Sequence, residues 1–178
     1  MKKFLLSTIL LLCTIVFAQA QENLFGARVG LNVTNLDFRP EVPEGVLNAH
    51  RNGFAIGFIA DYGISRKFSI MPEIQFSAEG AKDDGLRLDY IQMPILFNYK
   101  FCDKISLGVG PQVSLKAHDY EDGFQNIVYA GIAGATYMIS DVFFFDVRFS
   151  YGLTNVFDDN TGLEAINKNL QFGFGLKM

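Results

Sequence analysis

The sequence predicts an all-β fold: an eight-stranded antiparallel transmembrane up-and-down β-barrel, preceded by a cleaved signal peptide. Three observations lead there. Eight segments alternate apolar and polar residues with a period of two, as strands do when successive side chains point to opposite faces. The connections between them run long, short, long, short along the chain, the rhythm of barrels with short periplasmic turns and longer extracellular loops. Glycine is concentrated on the polar face, Phe and Tyr on the other.

The totals fit a membrane barrel better than a soluble domain. The chain has 178 residues, one domain by length, with 14% aromatic and only 19% charged residues, against about a quarter charged in a soluble domain. Formal net charge is −4. There is no basic block, which excludes nucleic acid as a partner on electrostatic grounds.

The N-terminus reads as a processing signal. Lys2 and Lys3 form a charged n-region, Phe4–Phe17 an apolar h-region, and Ala18-Gln19-Ala20 an A-x-A cleavage site. Residues 1–20 are thus the expected signal peptide and 21–178 the barrel domain. Cys13 falls inside the h-region, so the mature chain would keep only Cys102, in a predicted short turn and without a partner for an internal disulfide.

The strands follow in order. The first, Phe25–Asn35, sets Phe25, Ala27, Val29, Leu31 and Val33 against Gly26, Arg28, Gly30, Asn32 and Thr34. A loop with Pro40, Pro43 and Gly45 leads to the second, Gly53–Gly63, and four residues later the third runs from Phe68 to Glu79. Pro72 lacks a ladder donor, so the third strand requires a bulge or an unpaired position there. After the charged loop Gly80–Gly85 comes the fourth strand, Ile91–Phe101, and then the tight turn Cys102-Asp103-Lys104. The fifth, Ile105–His118, alternates most cleanly. The sixth, Asn126–Ile139, alternates most weakly; its apolar face is read as Ile127, Tyr129, Tyr137 and Ile139. The seventh spans Phe143–Thr154, and after the Asp/Asn/Gly-rich loop Asn155–Lys168 the eighth runs from Asn169 to Met178. Most of these reach the roughly 9–11 residues that a tilted strand needs to cross a bilayer.

Period two does not say which face meets lipid. A soluble barrel would turn its polar face outward and stock it with Lys, Glu and Asp. Here that face holds Gly26, Gly30, Gly57, Gly108, Gly173 and Gly175. Glycine gains nothing on an exposed strand, but inside an eight-stranded barrel it leaves room for long neighbours. The bulky aromatic face therefore meets lipid, and the polar face packs inside.

The last residues of the chain resemble a C-terminal assembly signal of outer-membrane proteins, with Gln171, Gly173, Leu176 and, where an aromatic is usual, Met178. The stretches GARVGLNVTNL, LDYIQMPILFNYKF, ISLGVGPQVSL and DVRFSYGLTNVFD resemble the PorT-like outer-membrane β-barrel family of Bacteroidetes-type bacteria. That resemblance implies residence in the outer membrane after export, contact with the assembly machinery during biogenesis, and a link to type IX-like protein secretion or to other envelope proteins. The motifs are structural rather than catalytic, and they imply no cofactor, no metal and no enzyme activity.

The candidate site is the interior polar network: Arg28, Asp61, Glu73, Gln75, Lys100, Lys116, Asp146, Arg148 and Lys177, with Glu79 on the same face. Nearly balanced in sign, it reads first as paired charges plugging a narrow barrel. The rival reading is a channel for ions or small solutes lined by Arg28, Glu73, Lys100 and Arg148. A third reading, a hydrolase, would converge His118-Asp119 with Asp83-Asp84; charged, solvated loops account for the same residues. Asp158–Glu164 clusters oxygens but lacks a calcium-loop spacing, and Gly108-Val109-Gly110 lacks the lysine and helix start of a phosphate loop. The principal reading is a non-enzymatic barrel that meets its partners through its extracellular loops, Leu36–Asn52 and Asn155–Lys168 above all, or through its periplasmic turns.

Overall fold

Eight strands pair in chain order and close on themselves. They are β1 (Asn23–Arg39), β2 (Arg51–Gly63), β3 (Phe68–Gly80), β4 (Arg87–Lys100), β5 (Ile105–Lys116), β6 (Ile127–Met138), β7 (Phe143–Gly152) and β8 (Glu164–Lys177). This computed structural model describes residues 23–39, 41–42, 48–117 and 123–178. Ala18 and Ala20, the expected cleavage site, lie outside the described residues, as do His118 and Asp119. Every pairing is antiparallel, and β1 meets β8 to close the ladder. At the closure Phe25 and Met178 exchange backbone hydrogen bonds of 2.9 and 3.0 Å. Closure leaves no strand edge, which lipid could not solvate.

The two faces separate as the alternation requires. Phe25, Leu31, Phe58, Phe97, Val109, Phe149 and Phe174 stand outward, forming an apolar belt. Paired rings reinforce it across neighbouring strands: Phe68 with Tyr99 (5.0 Å between centroids), Phe143 with Phe174 (5.8 Å). On β6, Ile127, Tyr129 and Tyr137 are exposed as expected, as is Ile139 just past its end, while Val128 and Ile132 point inward and are buried. Both faces of β6 are apolar, which is why its alternation is faint.

Several boundaries differ from the sequence expectation. β1 continues to Arg39 and β8 starts at Glu164, because Asn35–Arg39 pairs with Glu164–Lys168 in unbroken register. The expected loop Asn155–Lys168 is correspondingly shorter. This part of the β1–β8 seam carries Asn35, Asp37, Arg39, Glu164 and Lys168 on the outer face, so the apolar period that marks a strand lapses there. β4 likewise starts at Arg87, whereas β5 and β7 stop at Lys116 and Gly152, short of the predicted ends.

Pro72 is accommodated without a bulge. The β2–β3 ladder skips from Ile59↔Glu73 to Tyr62↔Ile70 and resumes in the same register. Pro94 and Pro111 sit at similar gaps, each in the ladder with the preceding strand. Each proline lacks the N–H that its ladder would take, so the pair is omitted while the register holds.

The interior is not polar throughout. Near the short turns Ile59, Met71, Leu96, Ile132 and Phe144 form one buried apolar cluster. At the long-loop end Leu36, Ala81, Leu86, Leu88, Tyr90, Phe124, Val128, Val156, Phe157 and Ala165 form another. Phe124 stacks on Phe157 at 4.9 Å, and the two residues form an isolated bridge between loops. The loops read as merely charged and solvated thus also supply an apolar cap.

Candidate functional site

Between the two apolar clusters lies a connected polar group. Arg28 Nε and Nη2 donate to the two oxygens of Asp146 at 2.7 and 2.6 Å. Arg148 Nη1 donates to Glu73 Oε2 at 2.7 Å, and its Nε lies 3.3 Å from Asp146 Oδ1. Asp146 is therefore shared by two guanidiniums, and Glu73 balances the second. All four are buried, and bidentate geometry of this kind gives the strongest ion pairs. Arg28 Nη1 also donates to the side-chain oxygens of Gln75 (3.3 Å) and Gln171 (3.2 Å).

Glycines make room for this layer. A Cβ on Gly173 would collide with the Arg28 guanidinium, and one on Gly134 would lie 2.8 Å from Arg148 Cγ. Gln171 and Gly173, singled out as parts of an assembly signal, therefore have folded-state tasks: one accepts from Arg28, the other makes space for it. Leu176 and Met178 lie on the lipid side of the same strand end.

The remaining predicted network residues separate by height. Lys177 Nζ donates to Asp61 Oδ2 at 2.6 Å near the short-turn mouth. Lys100 does not join the network. It ends β4 at the rim and is exposed. It lines a mouth cavity of about 420 Å³ together with Lys104, Asp103 and Lys177. Lys116 is half-buried at the opposite end and donates to the Phe124 carbonyl at 3.2 Å.

Above the ionic layer sits a second polar group that the sequence reading placed on the inner face but did not single out. Glu79 is fully buried. Its Oε1 accepts from Ser77 Oγ (2.7 Å), Gln92 Nε2 (2.9 Å) and Asn169 Nδ2 (2.6 Å), and its Oε2 from Asn167 Nδ2. Gln75 Nε2 donates to Gln92 Oε1 at 2.9 Å, tying this layer to the ionic one. Period two marks Glu79, Gln92 and Asn169 as inward-facing; their convergence depends on register between strands distant in sequence.

The loop acids do other work. Asp83 caps a short turn by accepting from the Gly85 amide, and Asp84 pairs with Arg87 at 2.5 Å. The partners needed for a hydrolytic centre, His118 and Asp119, lie outside the described residues. Among the described residues no group of three or more His, Cys, Asp or Glu is placed to hold a metal ion.

A closed strand ladder, an outward aromatic belt and a packed interior define an integral β-barrel protein of the outer membrane, seated in its lipid bilayer. Residues 17–158 match the outer membrane protein beta-barrel domain family, and the chain belongs to that family. Among solved structures it is similar to Neisserial surface protein A (NspA), with a TM-score of 0.62 and 12% identity over 86% of this chain and 97% of that one. It is also similar to Ail, the attachment invasion locus protein of Yersinia pestis, with a TM-score of 0.57 and 14% identity over 88% and 99%. At such identities the likeness concerns the fold. No curated protein matches the chain.

Proposed function

We propose that this barrel is a non-enzymatic, non-conducting scaffold of the outer membrane that meets its partners through its loops or turns. The carrying observation is the fate of three of the four residues that a channel would need, Lys100 alone being exposed at the mouth. Arg28, Glu73 and Arg148 are buried and bound to Asp146 or to one another, between one apolar cluster near the turns and another beneath the loops. Such a filled interior favours the plug over the pore. The PorT-like resemblance supports partners among envelope and type IX-like secretion proteins, and the N-terminal pattern supports a mature chain starting near Gln21. The test is conductance of the refolded barrel in a planar bilayer, beside Arg148→Glu. The expected result is silence from both while gel mobility reports a folded barrel. Reproducible steps whose ion selectivity changes in the variant would establish the channel instead.

A further inference from the structure

Seven charged side chains are buried in the described interior: Arg28, Arg148 and Lys177, against Asp61, Glu73, Glu79 and Asp146. Six of them pair among themselves. Glu79 is the seventh, with no ion pair among the described residues. Arg51 donates to its main-chain carbonyl, but the charge of Arg51 is paired with Asp89.

The contacts of Glu79 are all with hydrogen-bond donors. Gln92, Asn167 and Asn169 each present an amide N–H to it. Ser77 Oγ accepts from Asn32 Nδ2 (2.9 Å) and Gln171 Nε2 (3.5 Å), which leaves its hydroxyl hydrogen for Glu79. All four contacts are donors, the set a carboxylate accepts, and only one of them reaches Oε2. The shell fits a carboxylate, and a buried carboxylate requires a counter-charge. Beside it lies a cavity with room for about one water-sized occupant, lined by Glu79, Tyr90, Asn167, Ser114 and Ser150. Tyr90 Oη and Asn167 Oδ1 are both buried there without a hydrogen-bond partner, and Tyr90 itself is only 1% exposed.

We propose that this cavity binds one small monovalent cation of sodium size, held by the Glu79 carboxylate, the Tyr90 hydroxyl and the Asn167 amide oxygen. Hard oxygen donors suit such an ion. One charge balances the interior, whereas a divalent ion would leave a surplus beneath the apolar cap. Tyr90 belongs to that cap, so ion exchange requires the cap to open and is slow.

The test is urea unfolding of the refolded barrel in phosphatidylcholine vesicles at constant ionic strength, with sodium chloride replacing choline chloride. Sodium at ten times its dissociation constant should raise the folding equilibrium constant about 11-fold. Glu79→Gln should abolish the gain, and Tyr90→Phe should demand several-fold more sodium for the same gain. If Glu79→Gln does not fold, Tyr90→Phe decides. Equal stability of the unmodified barrel in sodium and choline would overturn the proposal, as would a sodium gain undiminished in Tyr90→Phe.

Discussion

Around Asp146, two guanidiniums and two carboxylates cancel within one connected group. One layer higher, Glu79 is held by a hydroxyl and three amides, with no cation among them. Both layers fill the same narrow cross-section and share a hydrogen bond between Gln75 and Gln92. They differ in what removing one member exposes. In the ionic layer it leaves an uncompensated charge; in the amide layer removing a donor leaves Glu79 one hydrogen bond short, which is a smaller penalty.

Substitutions can break this contrast at graded cost. The largest effect is expected from Asp146→Asn, which leaves Arg28 and Arg148 to share Glu73. Stability in lipid vesicles should fall by about 3–5 kcal/mol, read from the urea midpoint. The double change Arg28→Met with Asp146→Leu should lose less than Asp146→Asn alone, since both charges leave together; an equal or greater loss would mean that packing, not charge, dominates the layer. Next comes Ser77→Ala, which removes the hydroxyl linking Asn32 and Gln171 to Glu79 and should cost about 2 kcal/mol by the same measurement. The smallest effect is expected from Lys100→Ala. Its ammonium is solvated at the rim, so the midpoint should stay within about 0.5 kcal/mol. A larger shift would place Lys100 in the buried network after all.

Lys100 and Lys177 show how far the pattern could be read. Both occupy inward-facing positions near the short turns, and period two treats them alike. Lys177 meets Asp61 because β1 stands between β8 and β2, bringing the ends of those strands within reach of each other. Lys100 is exposed at the rim and forms no ion pair with an acid among the described residues. The pairing of Arg28 with Asp146 spans 118 positions, and no local signal announces it. Glycine gave an indirect clue, since Gly173 and Gly134 leave space for arginines on neighbouring strands. The cap was hidden for another reason. Phe124 stands alone and Val156-Phe157 form one short pair among polar loop residues, too sparse to form any period.

The sequence by itself determined the strands, their inward and outward faces and the closed antiparallel order, because a chain crossing lipid must repeat the same two-residue alternation in every pass. Only the tertiary structure decided which inward charges meet, that Glu79 meets none among the described residues, and that apolar clusters stand both below and above the polar layers. Those outcomes depend on strand register and height around the barrel. Register is set jointly by all eight ladders, so no single segment encodes it.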